Sequence, residues 1–148
     1  MSLIHVKGPA NCEPFGKLAS TAIASGAAVA WFGPTTGRYI SQALAASVRI
    51  AGVSVKKVTS TDDDFASNTI QSVIVPGPDD IFEATVSGTA TQGNVGNQYD
   101  LTTVEAGTAQ AVNLSGTTYK VVTVVGIISS SKVLVKINGA YEYANKAN

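Results

Sequence analysis

The stretch Ile81–Leu101, IFEATVSGTATQGNVGNQYDL, decides how this 148-residue chain is read. In its first third, Phe82, Ala84 and Val86 alternate with Glu83, Thr85 and Ser87. A two-residue period of this kind predicts a strand with one buried face and one solvated or contact face. Gly88–Gly96 then bends the chain, and Gln98–Thr103 resumes an extended run. The glycines Gly88, Gly93 and Gly96 lead into neither a Lys-Ser/Thr pair nor a helical pattern. They punctuate turns and do not form a phosphate-cradling loop.

Working outward, the same style of segment recurs. Val48–Val58 (VRIAGVSVKKV) predicts a strand carrying Val48, Ile50, Val53 and Val55, with Gly52 marking a bulge where the alternation slips. Thr69–Val75 predicts another, stopped by Pro76-Gly77-Pro78. Ala27–Phe32 is expected as a strand, followed by a turn at Gly33–Gly37 and a return through Arg38–Ser41. Gln42–Ser47 is expected as one helical turn. Downstream, Lys120–Ile128 and Lys132–Ile137 predict a hairpin across Ser129–Ser131, with Val133, Val135 and Ile137 on one face. Seven to nine short strands with frequent turn signals predict an all-β chain, a small β-barrel or β-sandwich. No internal repeat is evident. Residues 1–18 hold two prolines and two glycines without a sustained period, and are expected to form an extended N-terminal arm. Such an arm spans on the order of 60 Å at about 3.3 Å per residue, enough to cross to a neighbouring subunit. Residues 19–148 are expected to form the single barrel or sandwich domain.

Composition narrows the classes. Charged residues make up 14% of the chain, well below the ordinary share of about 25%. Assembly with neighbours is one way to cover the apolar surface this leaves. Net charge is zero, but the charges are segregated. Lys7, Lys17, Arg38, Arg49, Lys56 and Lys57 face only Glu13 in the first sixty residues, and the next block is acidic with no Lys or Arg until Lys120. This suits either head-to-tail contact between copies or pairing within one fold. A nucleic-acid binder would show a basic excess or a basic stripe, and neither is present. Cys12 is the sole cysteine, so no intramolecular disulfide forms, and maturation in a reducing cytoplasm is expected. Lys17 followed by Leu18–Phe32 only loosely resembles a secretory leader, being diluted by Ser20, Thr21, Ser25 and Gly26. No stretch approaches the roughly eighteen apolar residues of a membrane span, so no membrane partner is expected.

Residues suited to chemistry are scarce. Acid–base and nucleophilic mechanisms need a group titrating near neutrality and a partner to orient it. The one histidine, His5, lies in the expected arm, and with Cys12 it exhausts the soft metal ligands. Asp62-Asp63-Asp64 lacks the alternating ligands, central glycine and closing glutamate of an EF-hand, and is read as a solvated acidic loop. Glu83, Asp100 and Glu105 are candidates for a glycosidase-like carboxylate pair, and are better read as surface groups. No catalytic residue, cofactor or metal is expected.

Several short motifs belong together: Ala27-Ala28-Val29, Ile50-Ala51-Gly52-Val53, Val73-Ile74-Val75-Pro76-Gly77-Pro78, Ile81-Phe82-Glu83-Ala84, Val95-Gly96-Asn97-Gln98-Tyr99-Asp100-Leu101, Val121–Gly126 and Lys132–Asn138. In this arrangement the chain resembles the head decoration, or cement, proteins of tailed bacteriophages. The resemblance implies a β-rich protein that binds the outside of an icosahedral capsid, frequently as a trimer, and clamps neighbouring subunits. It implies the major capsid protein and further copies of this chain as partners, and the virion exterior as location, after synthesis in the host cytoplasm. His5, Val6, Lys7, Phe15, Trp31 and Phe32 are the expected capsid or subunit contacts. The alternatives are another virion component of the tail or head–tail joint, or a carbohydrate-binding β-module using Trp31 or Tyr99 as a platform.

Overall fold

The computed structural model describes residues 2–32, 39–44, 50–102 and 107–138, apart from the side chain of Phe32. The chain is all-β. Its described strands are β1 (Leu3–Lys7), β2 (Cys12–Lys17), β3 (Ala28–Phe32), β4 (Tyr39–Gln42), β5 (Ile50–Ser54), β6 (Ile70–Ile74), β7 (Ile81–Ser87), β8 (Gln98–Thr102), β9 (Ala111–Asn113), β10 (Val122–Ser129) and β11 (Lys132–Ile137). Among the described residues one 3-10 turn, Gln92–Asn94, precedes β8.

These strands close into two barrels in tandem. β2, β4, β3, β5 and β6 form the first. β7, β11, β10, β8 and β9 form the second, closed by the pairing of β7 with β9, and β1 is added along the start of β7. The two share one connectivity. The first strand lies parallel to the third (β2–β4, β7–β9), and every other neighbouring pair is antiparallel. Those pairs are third with second, second with fourth, fourth with fifth and fifth with first.

The registers match as well. Lys17↔Ile40, Trp31↔Ile40, Val29↔Gly52, Ser54↔Val73 and Glu13↔Val73 in the first barrel correspond to Val86↔Val112, Leu101↔Val112, Tyr99↔Val122, Val124↔Val135 and Phe82↔Val135 in the second. Even the entry to the second strand repeats. Gly26 N–H donates to Ser54 O (3.0 Å) and Ser54 N–H to Ala27 O (2.8 Å). Likewise Gly96 N–H donates to Val124 O (2.8 Å) and Val124 N–H to Asn97 O (3.0 Å). Both glycines hold positive φ, +69° and +87°, which a glycine adopts without steric penalty. No repeat was evident in the sequence; the fold contains one.

The strand expectations fare well between residues 69 and 137. β7 spans Ile81–Ser87 and β11 spans Lys132–Ile137, with Val133, Val135 and Ile137 buried. The irregularity expected near Gly52 is present: the β3–β5 register steps from Ile50 to Gly52, leaving Ala51 as the extra residue. Gly52 is needed for closeness instead, since a Cβ there would lie 2.4 Å from the Ile74 carbonyl oxygen. The helical turn expected from Gln42 is corrected at its start, because Gln42 ends strand β4; residues 45–49 lie outside the described residues.

Residues 1–18 are corrected most. They are not an arm outside the fold. β1 pairs with β7 and β2 pairs with both β4 and β6, so the segment supplies one barrel strand and one added strand of its own chain. The prolines sit where strands tolerate them, Pro9 in the β1–β2 turn and Pro14 on an exposed strand.

Two apolar clusters fill the interiors. Ile23, Ala24, Ala27, Val29, Ile40, Ala51 and Val73, with Phe15 and Trp31 against them, fill the first barrel. Phe82, Ala84, Tyr99, Leu101, Val112, Val122, Val124, Val133 and Val135 fill the second. That second cluster is continuous with Leu3 and with Ala28, Ala30, Ile50 and Val53 of the first barrel, so the barrels share apolar packing across their seam. Each fully buried Val, Leu, Ile or Phe contributes roughly 1.5–3 kcal/mol relative to exposure.

Candidate functional site

The buried polar side chains come first, because a functional group inside a β-barrel must either be hydrogen-bonded or be strongly destabilising. Lys17 is fully buried at the end of β2. Its Nζ donates to the carbonyls of Leu18 (2.9 Å), Phe65 (3.0 Å) and Ser67 (3.1 Å), so its three protons meet three acceptors. Burial lowers its pKa, partly offset by the Asp64 carboxylate. Lys17 thereby pins the 59–68 loop to the barrel and presents no free amine.

Asp80 is equally buried at the joint between the barrels. Its carboxylate accepts from Gly77 N–H (2.7 Å), Ala10 N–H (2.9 Å) and His5 Nε2 (2.8 Å). Burial alone would raise its pKa. The Gly77 and Ala10 amides and the His5 ring outweigh burial and hold the carboxyl below its ordinary value. The β1–β2 turn is thus tied to the Pro76–Pro78 connection.

Asp100 is 6% exposed, which corrects the reading of it as a surface carboxylate. It accepts from the backbone N–H groups of Thr118 (3.1 Å), Tyr119 (2.7 Å) and Lys120 (2.7 Å), holding the loop before β10. Glu83 lies on the outer face of β7 and pairs with Lys132 at 3.1 Å. Glu105 lies outside the described residues. In the acidic loop, Asp62 accepts from Thr59 N–H (2.7 Å), which holds its carboxyl below the usual range. Asp64 stands 3.6 Å from Lys56, an ion pair within the fold. Among the described residues no group of three or more His, Cys, Asp or Glu side chains could hold a metal ion.

Two glutamines staple the barrels together. Gln42 Oε1 accepts from Ala24 N–H (2.7 Å) and Gly107 N–H (3.0 Å), while its Nε2 donates to Thr108 O (2.7 Å). Gln110 Oε1 accepts from Ala28 N–H (2.7 Å), and its Nε2 donates to Ala43 O (2.7 Å) and, at 3.4 Å, to Ala28 O. Ser2 Oγ accepts from Gln110 N–H at 2.7 Å. Sequence reasoning missed both glutamines, Lys17 and Asp80 as organising residues. A polar residue embedded in small apolar ones, as Gln110 is between Ala109 and Ala111, was the one available signal.

The expected contact residues do not form one surface. His5 is half-buried on Asp80 and stacks edge-on against Phe82, with ring centroids 5.4 Å apart. Val6 and Lys7 are exposed beside it on β1. Phe15 and Trp31 meet edge-to-face at 4.9 Å, packed against the first barrel's interior. The Phe32 backbone pairs with Tyr39, and its side chain lies outside the described atoms. Surface apolar residues are found elsewhere on the strands and their flanks: Ile4, Val55, Ile70, Val125 and Ile128, with Ile70 68% exposed. A groove of about 470 Å³ opens on the second barrel, lined by Gly96, Asn97, Gln98, Tyr99, Thr117 and Lys120.

No helix among the described residues is long and apolar enough to cross a membrane. No protein-family model matches the chain, and no curated protein matches it in sequence.

Proposed function

We propose that this protein is a structural component of a bacteriophage virion that binds the outer surface of the capsid and stabilises it by clamping neighbouring capsid subunits. One observation carries the reading: the side chains are divided between two tasks. The buried ionisable groups Lys17, Asp80 and Asp100 all hold backbone, while Ile4, Val6, Val55, Ile70, Val125 and Ile128 stand exposed on both barrels. Apolar side chains on a rigid frame suit docking, and two linked barrels suit simultaneous contact with two neighbours, where linkage raises effective concentration. The motif resemblance to capsid decoration proteins points the same way.

The carbohydrate-binding alternative is less well supported. Tyr99 is buried with its hydroxyl accepting from Asn94 Nδ2 (2.8 Å), and Trp31 packs on Phe15, so neither ring offers a free platform. The test is co-sedimentation of the purified protein with empty capsids of the phage that encodes it. Saturable binding, weakened by Ile70→Asp together with Val55→Asp and accompanied by higher capsid heat resistance, is the expected result. Absence of capsid binding at micromolar protein contradicts the proposal.

A further inference from the structure

β1 is the one described strand that belongs to neither barrel, and neither closure uses it. Its place on β7 is nevertheless fitted to its own sequence. Leu3 is 3% exposed within the apolar seam, and its N–H donates to Gly26 O at 2.8 Å. Ser2 Oγ accepts from Gln110 N–H at 2.7 Å, and His5 Nε2 lies 2.8 Å from Asp80 Oδ1. An unrelated strand could pair with the β7 backbone but would not meet these side-chain positions.

The connection that keeps β1 on its own β7 is strained. It consists of Gly8-Pro9-Ala10-Asn11. Gly8 has φ +107° and packs so closely on Asp80 that a Cβ there would lie 2.5 Å from Oδ1. Ala10 has φ +50°, a left-handed conformation that is unfavourable for a residue with a Cβ. Its N–H is held by Asp80 Oδ1 at 2.9 Å. A released turn gives up that bond and regains the freedom of Ala10. Short hinges under strain, here stiffened further by Pro9, favour exchange of the terminal element between copies.

We propose that β1 is exchanged between copies of this chain, each β1 taking the place on β7 that the other's has left. The partner is a second copy because another copy brings Ser2, Leu3 and His5 at the spacing that Gln110, the seam and Asp80 accept. Exchange keeps the β1–β7 register and all of these side-chain contacts, and it lets Ala10 leave its left-handed conformation. Reciprocal exchange gives a closed dimer, and exchange passed around a ring gives a larger closed oligomer. The inference goes beyond capsid binding and does not depend on it.

The test is disulfide trapping in the intact chain. In a Cys12→Ser background, Ile4→Cys and Glu83→Cys place thiols at directly opposed positions of β1 and β7. Opposed residues of antiparallel strands lie about 4.5–5.5 Å apart at Cα, within disulfide range. The double variant is oxidised at millimolar concentration and run on a non-reducing denaturing gel. Covalent dimers or larger rings, absent from both single-cysteine controls, are expected. Ala10→Gly, which removes the strain at position 10, should lower the ratio of linked to monomeric chain at least about fivefold. The unmodified protein should show a multimer's mass in solution at the same concentration. Oxidised monomer as the main product, equal linking in the single-cysteine controls, no effect of Ala10→Gly, or a monomer's mass for the unmodified protein would each overturn the inference.

Discussion

The two barrels present the same frame filled in opposite ways. At matched positions the first carries Glu13, which is exposed, with Lys17, Gly52 and Ser54, and the second carries Phe82, Val86, Val122 and Val124. The second barrel is held by apolar volume. The first has a core rich in alanine and relies on polar groups with complete sets of partners: Lys17 on three carbonyls, Gln42 and Gln110 across the seam. One connectivity and register therefore tolerate very different interiors, the buried polar groups of the first being hydrogen-bonded apart from Gln71 Oε1 on β6, which lacks a partner among the described residues. The contrast extends to the entry of the second strand, buried in the first barrel, where Gln110 and Ala43 bond Ala28, and exposed at Gly96-Asn97-Gln98 in the second.

The sharpest way to break this comparison is to truncate matched residues. Phe82→Ala should destabilise the protein by about 4 kcal/mol through lost burial and a residual cavity, whereas Glu13→Ala, on an exposed strand, should stay within about 0.5 kcal/mol. Urea unfolding of both variants measures the difference; similar losses would mean that the two positions do not differ as described. Next, Lys17→Met should cost about 3 kcal/mol. It fills much of the same volume but removes the ammonium donor from all three carbonyls, leaving Ser67 O without one while Leu18 O keeps Thr21 Oγ1 and Phe65 O keeps Ser20 N–H. A neutral result would show that the first barrel does not depend on that ammonium.

Gln110→Ala should cost about 2 kcal/mol and leave Ala28 N–H and Ala43 C=O unpaired, making the first barrel resemble the second at that end. The smallest expected effect is a pH dependence at the joint. Asp80 has a folded pKa below the ordinary carboxylate value of about 4, so its contribution is full above that value and is lost as pH falls through the lowered folded value. Stability curves between pH 7 and 3 should flatten in Asp80→Asn, with a loss of about 1–2 kcal/mol at neutral pH. An unchanged acid limb in the variant would remove Asp80 from the account.

Much of the fold was legible because β7 and β11 announce themselves. Their alternation is regular, and hydrophobic period alone places Phe82, Val133 and Val135 inside. β1 and β2 show no strand period because Gly8, Pro9, Pro14 and Gly16 interrupt the pattern, and β2 buries a lysine where an apolar residue is expected. β9 has only three residues, too few for any period. The repeat was hidden because its loops differ in length and its matched inward residues differ in polarity, Lys17 against Val86 being the extreme case. Gly26 and Gly96 are the sequence trace that survives, each required by positive φ. The groove was invisible for a different reason: it is defined by the absence of a neighbour, which only the fold reveals.

The central claim is that one site occurs twice, closed at Ala28 and open at Gln98. Native-state hydrogen exchange at these two amides tests it most directly. Protection at Ala28 should exceed that at Gln98 by at least about a hundredfold, and Gln110→Ala should erase most of the gap. Equal protection of the two amides in the unmodified protein would contradict the account.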